Sequence, residues 1–148
     1  MKIIIAGGTG FIGKSLEIFF QKNHHQVFIL SRKPQSNNEV LWDAQNTGKW
    51  AEELENADVL INLTGRSIDC RFNESNRKSI FESRILSTKI LNSEILKCKN
   101  PPAIWLNANG IDIYKCSLDT AQTENSELEN TGFFPNVCKD WEAEFFKN

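Results

Sequence analysis

The first thirteen residues narrow the possible folds more than any other part of this 148-residue chain. A short apolar run, Ile3 to Ala6, reads as a buried strand. Glycines follow at Gly7, Gly8, Gly10 and Gly13, and the last three complete a Gly-x-Gly-x-x-Gly pattern. Phe11, Ile12, Leu16, Phe19 and Phe20 then recur at helical spacing. Strand, glycine turn and helix in that order are the setting in which this pattern implies dinucleotide binding. The turn is too tight for side chains, the backbone must approach a pyrophosphate, and Gly13 lets the helix pack closely. The free N–H groups at the helix start would hold the phosphates. The competing reading is a glycine turn that carries no ligand.

The length suits one domain. With 40% hydrophobic residues the chain has material for a core. A net charge of −2 gives no field that would draw nucleic acid or an anionic membrane, so neither is an expected partner. No apolar run approaches the ~18 residues of a membrane span. The opening Lys2 to Ile5 run is too short and glycine-interrupted for a signal peptide. Cys70, Cys98, Cys116 and Cys138 lie far apart without a Cys-x-x-Cys, and read as reduced cytoplasmic thiols rather than a metal site or disulfide frame.

Strands and helices alternate along the chain. Strands are expected at 2–6, 26–31, 39–42, 58–63 and 103–108. Val27 to Leu30 form an apolar run typical of a strand buried on both faces. Helices are expected at 11–23, 50–56 and 74–97, the last capped by Asn73 and ended by Pro101 and Pro102. Residues 109–131 read as irregular. Pro135 is expected to open a final helix with Val137, Trp141 and Phe145 on one side. This alternation implies an α/β fold, a doubly wound parallel sheet of order 3-2-1-4-5, with the nucleotide across the carboxyl ends of the first and fourth strands.

The end of the second strand bears on the cofactor. NAD sites usually place an acidic residue there for the ribose 2′-hydroxyl. Here the sequence is Ser31-Arg32-Lys33, with no carboxylate before Glu39. Arginine can pair with a 2′-phosphate and Ser31 can add a hydrogen bond, so NADP is expected over NAD. The alternative is that Arg32 and Lys33 are solvated loop charges.

The stretches Ile5-Ala-Gly-Gly-Thr-Gly-Phe-Ile-Gly13, Leu30-Ser-Arg32, Leu41-Trp-Asp43, Ile61-Asn-Leu-Thr-Gly65, Ser83-Arg84 and Asp140-Trp-Glu142 together resemble the extended short-chain dehydrogenase/reductases of Rossmann type. More narrowly they resemble the atypical epimerase family, NAD(P)-dependent sugar-nucleotide epimerase-like proteins. The resemblance implies that Gly7, Thr9, Gly10, Phe11, Ile12 and Gly13 wrap the pyrophosphate and that Arg32 takes the adenosine phosphate. It places Leu63, Thr64 and Gly65 on the adenosine side. Asp43 sits by the adenine or is a turn residue.

The catalytic end departs from that family, which uses a serine after the fifth strand and a tyrosine followed four residues later by lysine. Here Asn107 or Asn109 stands where serine is expected, and Tyr114, the only tyrosine, aligns with the family tyrosine. Leu118 occupies the lysine position. Tyr114 is either an acid/base or a packed or surface aromatic. Family members are about twice as long, so the resemblance implies a sheet truncated before its last strands and a missing substrate domain. Three functions follow: an NADP-dependent oxidoreductase or epimerase acting on an unidentified small molecule, a non-catalytic nucleotide-binding module, or a vestigial fragment. A homodimer is expected through the long and final helices, with Leu86 and Ile90 pointing away from the sheet, or through the uncovered fifth strand.

Overall fold

The structure, a computed structural model, describes residues 1–147. Its centre is β1 (Lys2–Ala6), paired in parallel with β2 (Gln26–Ser31) on one side and β4 (Val59–Asn62) on the other. β3 (Glu39–Leu41) adds outside β2, and β5 (Ile104–Asn107) adds outside β4. The sheet is parallel throughout, in the expected order β3-β2-β1-β4-β5.

Strand alternation divides the core into two layers. Ile4, Ala6, Leu30 and Leu60 point to one face, where they meet Trp42, Trp50, Leu54 and Leu91. Ile3, Ile5, Val27, Ile29 and Ile61 point to the other, beneath Leu16 and Phe20 of α1 (Phe11–Lys22). Each strand of the sheet's centre is thus apolar at successive residues, which is why β1 and β2 lack polar alternation. The first layer is closed by α2 (Glu74–Ile95) and α3 (Phe133–Phe145), which pack on each other. Trp105 of β5 meets the Phe145 ring edge-on at 4.7 Å.

Several boundaries differ from expectation. The helix expected at 50–56 is a 3₁₀ helix, Lys49–Leu54, anchored by the buried Trp50 and Leu54. The final helix begins at Phe133, two residues before Pro135. Gly132, at φ 109°, redirects the chain, and Pro135 falls in the first turn, where its missing N–H has no helical partner to lose. The irregular stretch contains a 3₁₀ turn, Ile111–Ile113, and an isolated antiparallel bridge between Tyr114 and Leu128.

The long helix differs most. Asn73 caps it as expected, its side chain accepting from the Asn76 N–H. Its buried face, however, mixes Ile80 and Leu91 with Ser87, Thr88, Asn92 and Glu94. These polar groups have partners: Ser87 Oγ donates to Ser83 O at 2.8 Å within the helix, and Asn92 Nδ2 donates to Glu144 O of α3 at 2.6 Å. Counting apolar residues alone therefore misplaces the face. Ile90, expected to point outward, packs against the first core layer. Leu86 is the exposed member of that pair.

Candidate functional site

The glycine turn links β1 to α1 at the carboxyl end of the sheet. Its four glycines differ in purpose. Gly7 adopts φ +72°, and a Cβ there would lie 3.0 Å from the Thr64 backbone. A Cβ on Gly8 would lie 2.6 Å from Ile29 Cδ1, and one on Gly13 only 2.3 Å from Gly8 O. Those three positions are closed by the protein itself. A Cβ on Gly10 would meet nothing nearer than Gly7 O at 3.7 Å. Gly10 is also the N-cap of α1 and supplies no side-chain cap, so the first amides of the helix are left without one. α2, by contrast, is capped by Asn73.

This turn forms one wall of a cleft of about 580 Å³, within the range that holds a small-molecule cofactor. Gly7, Thr9 and Gly10 line it from β1, and Ser31, Arg32 and Asp43 from the ends of β2 and β3. Leu63, Thr64 and Gly65 line it from the end of β4. Nine residues named from sequence therefore meet in one depression. Phe11, Ile12 and Gly13 are not among its walls. The Phe11 and Ile12 side chains are exposed and Gly13 is packed on Gly8.

Arg32 is exposed and makes no ion pair or side-chain hydrogen bond with another described residue. Ser31 is buried, and its Oγ accepts from the Lys33 N–H at 3.2 Å, bending the chain after β2. Glu39, the next carboxylate in the sequence, is turned into its own loop, accepting from the Gln35 N–H and Ser36 Oγ. Asp43 closes a turn: Oδ1 accepts from the Gln45 and Asn46 amides at 2.8 Å each and Oδ2 from Asn46 Nδ2 at 2.7 Å. The Asn46 side chain, then the Asn46 and Gln45 amides, hold this carboxyl below its ordinary value. Asp43 is thus a turn residue that also lines the cleft.

The far wall was not read from the sequence. Arg66, Ser67, Ser79, Glu82 and Ser83 complete the cleft from the loop after β4 and from α2. Arg66 Nη2 donates to Asn76 Oδ1 at 2.7 Å. Nothing in local spacing marks these residues, because they face the cleft only through the packing of α2 beside Gly65.

The candidate catalytic residues are not gathered in the cleft. Asn107 Oδ1 accepts from the buried Asn62 Nδ2 at 2.7 Å, and its own amide donates to Ala108 O. Asn109 Nδ2 donates to Glu142 Oε1 at 2.6 Å. Tyr114 is half-buried beside the 3₁₀ turn, in the bridge to Leu128, and does not line the cleft. Leu118, four residues on, is almost fully exposed. No group of three or more His, Cys, Asp or Glu among the described residues is arranged to hold a metal ion. No helix among them is long and apolar enough to cross a membrane.

The chain has relatives of known family and fold. The profile of the NAD dependent epimerase/dehydratase family matches residues 3–127. The chain is 34% identical over 146 residues to the human epimerase family protein SDR39U1, covering 97% of this chain and 48% of that one. It is 34% identical over 149 residues to the Bacillus subtilis epimerase family protein YfhF, covering 97% and 49%. Among solved structures, human SDR39U1 (isoform 2) with NADPH superposes with a TM-score of 0.85 at 33% identity, over 98% of this chain and 48% of that one. A nucleoside-diphosphate sugar epimerase from Corynebacterium glutamicum superposes with a TM-score of 0.81 at 31% identity, over 98% and 30%. The chain spans about half the length of the curated relatives it matches.

Proposed function

Because this chain belongs to the NAD dependent epimerase/dehydratase family, we propose that its cleft binds NADP(H) and forms the cofactor half of a cytoplasmic nicotinamide-dependent oxidoreductase or sugar-nucleotide epimerase of the short-chain type. The observation that carries this reading is Gly10. Its neighbours in the turn are glycine because protein fills the space, whereas the space beside Gly10 is free and adjoins an uncapped helix start. That is the vacancy a pyrophosphate needs.

In this reading the backbone from Gly7 to Gly13, including the amides of Phe11 and Ile12, holds the diphosphate, with Thr9 at its edge. Leu63, Thr64 and Gly65 line the adenosine. Arg32, which has no ion pair or side-chain hydrogen bond among the described residues, takes the 2′-phosphate with Ser31 in support. NADP is favoured over NAD on that chemistry, and the related human protein was solved with NADPH. The bound nicotinamide would supply hydride exchange. Tyr114 is the candidate proton donor or acceptor.

A second reading, a nucleotide-binding module without chemistry, is favoured by specific contacts. Asn107 and Asn109 are both engaged in protein hydrogen bonds, Tyr114 lies outside the cleft, and Leu118 replaces a lysine. Fluorescence titration with NADPH and NADH tests the cofactor assignment. A charged hydrogen bond is worth ~1.5–3 kcal/mol, so NADPH should bind about tenfold tighter or more, and Arg32→Ala should erase the difference. Equal affinities in the unmodified protein would remove the 2′-phosphate role from Arg32.

A further inference from the structure

Two sequence motifs, Ser83-Arg84 and Asp140-Trp141-Glu142, lie on α2 and α3, and only Ser83 among them lines the cleft. Ser83 and Arg84 nevertheless reach the loop that follows β4, and Glu142 reaches the loop that follows β5. Ser83 Oγ accepts from the Arg66 N–H at 2.9 Å, and Arg84 Nη1 donates to Arg66 O at 3.2 Å. One residue of the loop is therefore gripped at both its amide and its carbonyl by consecutive residues of one helix.

The guanidinium of Arg84 is itself held on three sides. Nη1 also donates to Ile80 O at 3.0 Å. The group lies over the Trp141 ring, 5.3 Å from its centroid. It also backs onto Gly65, where a Cβ would fall 3.2 Å from Arg84 Cζ. Gly65 is a cleft wall, so the cation packs directly against a residue that lines the cleft without lining it itself.

Trp141 is fixed in turn. Its Nε1 donates to Thr88 Oγ1 at 2.8 Å, and the same oxygen accepts from Asn62 Nδ2 at 3.1 Å. Asn62 Oδ1 accepts from the Thr64 N–H at 3.1 Å, and Asn62 Nδ2 also donates to Asn107 Oδ1. Glu142 meanwhile holds Asn109. The chain of contacts is continuous from the cleft wall at Thr64 to Arg66, through α2 and α3, to the end of β5. Its Asn62–Thr88–Trp141 centre is buried, and a hydrogen bond is stronger there than in water.

We propose that Arg84, seated on Trp141 and paired with Ser83, is a positioning residue that sets the Gly65–Arg66 wall of the cofactor cleft and ties it to the loop after β5. The proposal rests on the cofactor reading above. Arginine suits the task because its planar fork stacks on an aromatic face while its edge donates to carbonyls, which an ammonium does poorly. It acts on the ligand only through the backbone it holds.

The test is NADPH titration of the full chain as wild type, Ser83→Ala, Arg84→Lys and Arg84→Ala, the last with and without millimolar guanidinium ion. Arg84→Ala should weaken NADPH about tenfold. Guanidinium should recover most of that loss while leaving wild type unchanged, and Arg84→Lys should recover less. Ser83→Ala should weaken binding severalfold, and hydrogen exchange at the Arg66 amide should quicken. Wild-type affinity in Arg84→Ala would overturn the proposal, as would a loss that guanidinium does not recover. If Arg84→Ala does not fold, unchanged affinity and Arg66 exchange in Ser83→Ala overturn it equally. Failure of the wild-type protein to bind NADPH would instead refute the cofactor reading.

Discussion

Replacing the glycines of the turn one at a time should separate folding from binding. At Gly10 the backbone is already in a region open to any residue, φ −78° and ψ 178°. An added Cβ meets only Gly7 O, at an ordinary 3.7 Å. The expected cost of Gly10→Ala is that of a weaker N-cap, about 1 kcal/mol or less, and Gly10→Val adds little more. For a domain of this size that is about 2–4 °C in Tm. Gly13→Ala is different, because its Cβ would lie 2.3, 2.4 and 2.5 Å from Gly8 O, Cα and C. No side-chain motion relieves a clash with backbone, so the helix must lift away, at about 3 kcal/mol or more. For the ligand the order reverses. If a side chain at Gly10 displaces the diphosphate from two backbone amides, each worth ~1.5–3 kcal/mol to a charged acceptor, affinity falls at least about a hundredfold. Thermal melting and NADPH fluorescence titration on the same samples read both effects. A folded Gly10→Val protein with wild-type NADPH affinity would refute the argument. So would a Gly10→Ala protein as unstable as Gly13→Ala.

The isolated chain should turn over little or no substrate, and Tyr114→Phe should leave NADPH affinity unchanged. Efficient NADPH oxidation with a sugar nucleotide, lost in Tyr114→Phe, would restore Tyr114 as the acid/base. Asp43 and Glu55 are held below their ordinary values of 3.8 and 4.5, Asp43 first by the Asn46 side chain and Glu55 first by the Asn100 amide. Their contribution is complete above those ordinary values and is lost as pH falls through the lower folded ones. The urea midpoint should therefore hold from pH 7 to about 5 and decline below about 4, and a midpoint that rises on acidification would contradict this. Self-association should run through β5 rather than the helices, because Ile104 and Leu106 are each 52% exposed while Ile90 is packed inward. In sedimentation, Ile104→Lys with Leu106→Lys should give monomer and Leu86→Glu should not; a monomeric wild type at micromolar concentration would refute association altogether.

What the sequence disclosed and what it hid follow from the range of the interactions. The parallel, alternating architecture came from local signals repeated along the chain, since apolar runs alternating with helical patterns build βαβ units with right-handed crossovers. The near wall of the cleft was legible because it is built where strands end, at Gly7 to Gly10, Ser31-Arg32 and Leu63 to Gly65. The far wall and α2 were not. Ser87, Thr88, Asn92 and Glu94 lie on a buried face that includes contacts with residues far along the chain, as in the Asn92 bond to Glu144 O, 52 positions away. Hydrophobic periodicity cannot see a buried face made of satisfied polar groups. The same blindness affected the motifs on α2 and α3, which by pattern were only matches to a family. Their contacts suggest why those residues occur together: Arg84 needs Trp141 beneath it, Trp141 needs Thr88, and Thr88 shares Asn62 with the end of β5. Asn107 then makes sense as a structural partner. A serine there would be too short to span the 2.7 Å bond to Asn62 from the same backbone position, leaving a buried amide donor with one acceptor fewer. The residue that departs from the family's catalytic pattern is thus tied into the network that shapes the cofactor cleft, and Asn107→Ser should lower stability.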